Sequence, residues 1–230
     1  MIKIENVSVH FDDFYILKNI NLILLEKKIG IIGANGSGKS TFAKLINGLQ
    51  IPDIGSVEVD NFNTKENGKQ IRRKVGFVFQ NPDNQIVFPI VEEDIAFGLK
   101  NLNYGKVEIE KIVNATLDYY DLSYLRQHQS HSLSGGQKQL LAIAGVVIMK
   151  PEYIVFDEPT TLLDLRNKIK IFQVIENLTQ TVIVITHDLN LLENFDRVIV
   201  FDQGQIVADD VPKIAINHYQ TLMYDEPRIL

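Results

Sequence analysis

The sequence predicts an α/β fold with an antiparallel β portion near its start and an α-helical subdomain inserted into it. Three observations predict this. The runs "YIVF" (Tyr153 to Phe156) and "TVIVIT" (Thr181 to Thr186) are almost continuously apolar, and a helical stretch from Leu165 to Leu178 separates them. Strands of a parallel sheet buried on both faces read this way. Nearer the start, Ile2, Ile4 and Val7 lie close to period two, and Ile20, Leu22 and Leu24 alternate with Asn21 and Ile23. That pattern suits an antiparallel sheet with one covered face. From about Asn84 to Met149 the character changes to helical patterns joined by polar connectors such as "NLNYGKVE" and "RQHQSH".

The remaining elements follow in order. Ile29 to Ile32 is a short apolar strand that runs directly into a glycine loop, and Phe42, Leu45 and Ile46 behind the loop have helical spacing. Val57 to Val59 and Val75 to Phe79 read as further strands, and Val198 to Val207, broken at Asp202-Gln203-Gly204, as a closing hairpin. A short polar tail is expected near Tyr224 to Arg228. The expected organisation is one domain over 1–230, with an α/β core formed by 1–83 and 150–230 and the helical subdomain at 84–149.

The 230 residues suffice for a buried core. A net charge of −6 disfavours nucleic acid or an anionic membrane surface as the main partner. The absence of cysteine excludes disulfides, thiolate zinc sites and a Cys nucleophile. Met1 to Glu5 alternates and lacks the apolar core of a signal peptide. No apolar run approaches the ~18 residues of a membrane-spanning helix. The expectation is a soluble cytoplasmic protein that relies on another chain for any membrane part.

Gly33-Ala34-Asn35-Gly36-Ser37-Gly38-Lys39-Ser40 fits G-x-x-x-x-G-K-[ST] between an apolar strand and a helical pattern, the context this motif requires. Its glycines let successive backbone N–H groups face a phosphate at a helix N-terminus. Lys39 is expected to reach the β- and γ-phosphates and Ser40 to ligate Mg²⁺. Asp157 ends a buried strand, where open α/β sheets bind ligands, and can hold Mg²⁺. Glu158 beside it is the candidate general base for an attacking water. The competing reading of this pair is a cap on a helix beginning after Pro159. His187 falls at the end of the next apolar run and can bond the γ-phosphate or the water; a satisfied loop histidine is the alternative.

A second glycine pair stands about a hundred residues further on. Ser134 and Gln137 form a capping box in front of Leu140, Leu141, Ala144, Val147 and Ile148, with Pro151 limiting the helix. A capped helix does not explain Gly135 and Gly136, because glycine in a first helical turn costs about 1 kcal/mol against alanine. A close approach to the backbone would explain them.

Leu133-Ser134-Gly135-Gly136-Gln137 resembles the signature motif of the ABC ATPases, and the resemblance spans nearly the whole chain. Gly33 to Ser40, with Thr41 behind it, matches Walker A; Tyr153 to Glu158 matches Walker B; Gln80 matches the Q-loop, Leu163-Asp164 the D-loop and His187 the switch histidine. Phe11 falls where the family places an aromatic that stacks on adenine, with Tyr15 as a rival. The resemblance implies a P-loop ABC ATPase fold, with a RecA-like core, an antiparallel β subdomain and an inserted helical signature subdomain. It implies ATP and Mg²⁺ as cofactors, contact of Gln80 with the nucleotide and metal, and a head-to-tail dimer. In such a dimer Ser134, Gly135, Gly136, Gln137 and Asp164 serve the ATP held by the partner subunit.

The stretch "QNPDNQIVFPIVEEDIAFG" after Gln80 is similar to the energy-coupling-factor (ECF) class of vitamin and metal-ion importers, and Gly145 stands where many other members carry Arg. The resemblance implies a polytopic coupling subunit docked near 85–98, with Glu92, Glu93 and Asp94 facing an arginine-bearing helix, and a substrate-binding membrane subunit beyond it. The implied place is the cytoplasmic face of the membrane. "PTTLLDLRN" departs from the common D-loop spelling, since Leu162 replaces a small residue, and is similar to the ATPases of biotin importers; cobalt or nickel import is the neighbouring reading. A non-transport ABC ATPase of DNA repair or translation is the other class. The short insert without heptads, the single cassette and the acidic charge speak against it.

Overall fold

A computed structural model of the protein describes residues 1–225. The chain opens with β1 (Ile2–Phe11) and β2 (Phe14–Leu24), then β3 (Lys28–Gly33), which leads into α1 (Lys39–Asn47). β4 (Ile54–Val59), the short β5 (Phe62–Asn63), α2 (Gly68–Lys74) and β6 (Val75–Val78) follow. The helical stretch comprises α3 (Val91–Asn101), α4 (Lys106–Tyr119) and α5 (Gly135–Val147). The chain returns through β7 (Tyr153–Asp157), α6 (Leu165–Glu176), β8 (Thr181–Ile185), β9 (Arg197–Asp202), β10 (Gln205–Asp210) and α7 (Pro212–Asp225).

Two sheets result. The smaller has the order β2-β1-β4-β5 and is antiparallel. Its alternation slips by one residue between Ile4 and Val7, where the register with β2 shifts and Asn6 takes a left-handed φ of 50°. This irregularity returns Val7 to the covered face, which is why the apolar residues of β1 only approximate period two. The larger sheet has the order β10-β9-β3-β8-β7-β6 and is parallel except for the β9–β10 hairpin. Ile183 and Ile185 of β8 join the core shared with the small sheet and α1. Val182 and Val184 join the core shared with α3, α5 and α6. Burial on both faces explains the unbroken apolar runs, since neither side of such a strand meets water.

Two helices lie outside the expectations drawn from sequence. α2 spans only seven residues, buries only Ile71 and runs straight into β6 without a turn residue. α7 covers the last stretch of the described chain and buries Ala215 against the core. Its signal was Pro212 at the first helical position, separated by one residue from the end of a strand. Helix α6 closes at Glu176, two residues before Leu178, with Asn177 as its cap. Of the polar tail expected near Tyr224 to Arg228, Tyr224 and Asp225 belong to α7 and the rest lies outside the described residues.

Parallel strands align their C-terminal ends, so β3, β7 and β8 deliver Gly33, Asp157 and the residues after Ile185 to one edge of the sheet. Behind that edge Phe42 of α1 is fully buried, with its ring centroid 5.0 Å from that of Phe201 on β9. Phe42→Ala is expected to lower the unfolding free energy by about 3–5 kcal/mol. Denaturant unfolding would read this as a lower midpoint at unchanged slope. A loss under about 1 kcal/mol would mean the site collapses around the cavity.

Candidate nucleotide-binding site

Helix α1 begins without a capping side chain and without an acidic residue in its first turn. Its first backbone N–H groups are therefore free for an anion. Gly38 makes the bend into the helix at φ 98°, and a Cβ there would lie 2.7 Å from the Ile16 carbonyl oxygen. Lys39 is buried, and its Nζ donates to the carbonyl oxygens of Gly33 at 3.0 Å and Ala34 at 2.8 Å. Burial pushes its ammonium below the ordinary lysine value, while Glu158 and Asp157 pull the other way. Ser37 Oγ is buried without a hydrogen-bond partner in the same loop.

The acids lie opposite. Ser40 Oγ donates to Asp157 Oδ1 at 2.9 Å. Burial raises the Asp157 pKa above the ordinary carboxylate value, against the Ser40 hydrogen bond and the charges of Lys44 and Lys39. No helix starts after Pro159; the chain turns, and α6 begins only at Leu165, so the capping reading of this pair is set aside. Glu158 sits in the left-handed region at φ 53°, with its N–H bonded to the Ile185 carbonyl at 3.0 Å. This holds its carboxylate 3.0 Å from His187 Nε2 and within 3.2 Å of the Thr161 hydroxyl, which donates to it. Burial raises the Glu158 pKa, and the charge of His187 opposes the shift.

These groups enclose a cavity of about 520 Å³. Asn35, Gly36, Gly38, Lys39, Ser40 and Thr41 form one wall, and Gln80, Glu158 and His187 the other. Ile16 and Thr161 also line it and escaped the sequence reading. Thr161 follows the acids by three residues, but nothing in its pattern marks a wall. Phe11 and Tyr15 are not in the lining: Phe11 is largely exposed, and Tyr15 packs on His10 with ring centroids 4.0 Å apart. Ser40 Oγ and Asp157 Oδ1 are hard oxygen donors beside the free N-terminus of α1, and they fit Mg²⁺, which takes one or two protein oxygens together with water and phosphate.

The second glycine pair stands outside this cavity. Ser134 and Gln137 form a reciprocal capping box at the start of α5, with Ser134 N–H donating to Gln137 Oε1 at 2.8 Å. Beside it, Asp164 caps α6 by accepting from the Asn167 N–H at 2.8 Å. A Cβ on Gly136 would lie 2.3 Å from Asn167 Oδ1, so one close neighbour of this glycine is a side chain of the chain itself. Gly135 has no such reason, because a Cβ there would meet only Leu163 at an ordinary 3.7 Å. The three acids of α3 divide as well. Asp94 accepts from the N–H groups of Val87 and Phe88, Glu92 pairs with Arg126 and Gln127, and Glu93 is exposed.

A family model described as "ABC transporter" matches residues 17–161, a span that includes the glycine loop, Gln80, Glu158 and the capped glycine pair and stops short of His187. The chain belongs to the ABC transporter ATPases. The ABC ATPase is 61% identical over 95% of its length to a Bartonella henselae protein provisionally named an ABC transporter ATP-binding protein, of which it covers 97%. It is 42% identical over 96% of its length to the biotin transport ATP-binding protein BioM of Rhizobium etli, covering 98% of that chain. It is 43% identical over 93% of its length to the energy-coupling factor transporter ATP-binding protein EcfA of Syntrophomonas wolfei, covering 81% of it. Among solved structures, cbiO1 of Clostridium perfringens, part of the transporter complex cbiONQ, aligns with a TM-score of 0.83 at 32% identity, over 99% of this chain and 95% of that one. A dimeric ATP-binding cassette in a post-hydrolysis state with ADP and Pi aligns with a TM-score of 0.83 at 33% identity, over 92% and 99%. As an ABC ATPase the protein binds ATP with Mg²⁺ and hydrolyses it.

The raised Glu158 pKa has a consequence for stability. A carboxyl that holds its proton more tightly in the folded state loses stability as pH rises from the unfolded pKa through the folded one. The penalty is therefore absent below the ordinary carboxylate range and grows as pH rises above it. Nucleotide-free Glu158→Gln is expected to melt higher than the parent at pH 7, by about 2–4 °C per kcal/mol relieved, and the gap should close on acidification. Thermal unfolding at the two pH values checks this. A variant that melts lower at pH 7 would mean the His187 contact outweighs burial.

Proposed function

We propose that the protein is the ATP-hydrolysing subunit of an ECF-type importer, that it works as a head-to-tail dimer at the cytoplasmic face of the membrane, and that the imported substrate is biotin. The observation that carries the dimer is the separation of the two anion-binding helix starts. The cavity at α1 lacks any residue of Ser134 to Gln137, and Gly135 lacks an internal reason to be glycine. A second copy reversed against the first would bring Ser134 and Gly135 of each to the nucleotide of the other. The likeness to a dimeric cassette with ADP and Pi supports a dimer.

In the completed site, Lys39 leaves the Gly33 and Ala34 carbonyls for the phosphates, and the N–H groups of α1 hold their oxygens. Glu158, made more basic by burial, takes the proton from the attacking water. His187, 3.0 Å away, orients that carboxylate and the water. Ser40, Asp157 and Gln80 would hold Mg²⁺, which when bound neutralises charge on the phosphates.

The likeness to EcfA supports the energy-coupling-factor class, and the likeness to the biotin transport subunit supports the substrate. Exposed Val87, Phe97 and Glu93 offer an apolar surface with one anion to a cytoplasmic helix of a membrane subunit. No helix among the described residues is long and apolar enough to cross a membrane, so such a subunit is a separate chain in this reading.

Glu158→Gln is expected to cut hydrolysis at least about a hundredfold while trapping an ATP-bound dimer by gel filtration. Ser134→Arg should bind ATP as a monomer yet fail to dimerise, and wild-type turnover there would sink the shared site. A membrane pull-down with Glu158→Gln and ATP is expected to recover a polytopic subunit and a small membrane protein that binds radiolabelled biotin. A captured membrane protein that binds cobalt or nickel would replace the substrate, and recovery of soluble chains alone would remove the importer.

A further inference from the structure

Gln80 lines the nucleotide cavity, two residues beyond the end of β6. The chain after it does not leave freely. Asn81 caps a tight turn at Pro82–Asn84 by accepting from the Asp83 N–H at 3.0 Å. The half-buried side chain of Gln85 then folds back: its Oε1 accepts from the Phe79 N–H at 3.1 Å and closes a ring around Gln80. The other end of the same amide donates from Nε2 to the Ala142 carbonyl at 2.8 Å, two turns into α5. Lys138 of α5 adds a second tie, 2.7 Å from Asp83 Oδ1.

One planar amide therefore joins the backbone next to Gln80 to the helix that begins at Ser134. The job requires both a donor and an acceptor at fixed separation, and among side chains of this length only glutamine supplies them. The orientation is settled by the partners, since Phe79 N–H must find an oxygen and the Ala142 carbonyl a nitrogen. Displacement of α5 against β6 cannot leave both bonds intact without carrying residue 79, and with it Gln80, along.

We propose that Gln85 is a positioning residue that couples the placement of helix α5, and so of Ser134 and Gly135, to the placement of Gln80 in the nucleotide cavity. The proposal rests on the reading of Gln80 as a nucleotide contact, and the test separates the two. Steady-state ATP hydrolysis, ATP affinity and melting temperature are measured on the full chain for Gln85→Met, Gln80→Ala and the double variant. Gln85→Met is expected to lower kcat about tenfold, with ATP affinity and melting temperature close to the parent. In the Gln80→Ala background the same substitution is expected to change kcat less than about twofold, because coupled residues are not additive.

An equal fold-change in both backgrounds, or an unchanged kcat for Gln85→Met, overturns the coupling and leaves Gln80 in place. An unchanged kcat for Gln80→Ala removes the nucleotide contact and the coupling with it. Parallel losses of melting temperature, affinity and kcat mark a strut that only holds the fold, and also overturn the proposal. Gln85→Glu keeps the acceptor for Phe79 and removes the donor to Ala142. It is expected to reproduce the kcat loss, and it decides the question should Gln85→Met fail to fold.

Discussion

The first turn of α1 presents backbone N–H groups that no capping side chain among the described residues satisfies. Such groups want an anion, and the rest of the molecule is arranged around giving them one. Gly38 must be glycine to make the bend, at φ 98° against the Ile16 carbonyl. Strand β3 must end where it does, and its neighbours β8 and β9 fix that end in register. Burial of Phe42 under the same helix locks its axis to the sheet. The anion site is thus built from backbone, and its precision is inherited from the core.

Charge management follows from the same position. Lys39, Asp157 and Glu158 are all buried at the sheet edge, so each pays desolvation and each shifts toward its neutral form. They lean on one another and on local groups: Lys39 on two carbonyls, Asp157 on Ser40, Glu158 on His187 and Thr161. Glu158 also accepts a left-handed backbone, a conformation that costs of order 1 kcal/mol. A group held so expensively in one place is suited to meeting a water at one place, the demand a general base faces.

The helical portion adds the parts that a single cavity cannot. Helix α5 starts in a capping box next to the cap of α6, and the two starts pack through Gly136 against Asn167. This presents Ser134, Gly135 and Asp164 away from the cavity. The segment after Gln80 spans between these regions and is bonded to both, through Phe79 on one side and Ala142, Lys138 and Asp94 on the other.

Much of this was legible in the residues. The unbroken apolar runs at Tyr153 and Thr181 fixed the buried parallel strands, because no other element hides both faces at that length. The glycine loop, the acids after Phe156 and the histidine after Thr186 announced a phosphate site, because each follows a strand end. Signals of this kind are local: a period, a cap, a bend that only glycine makes. Helix α2 was too short to carry a period, and α7 buries too narrow a stripe to stand out. What lay beyond reading was partnership at a distance. Whether Glu92 and Asp94 stay free or bind their own chain depends on Arg126 and on the Val87 amide arriving there. That Asn167 packs close against Gly136 is likewise not written in the glycine pair itself. The bond from Gln85 to Ala142 joins residues 57 apart. Such contacts depend on how helices pack over the sheet, and tertiary structure alone decides them.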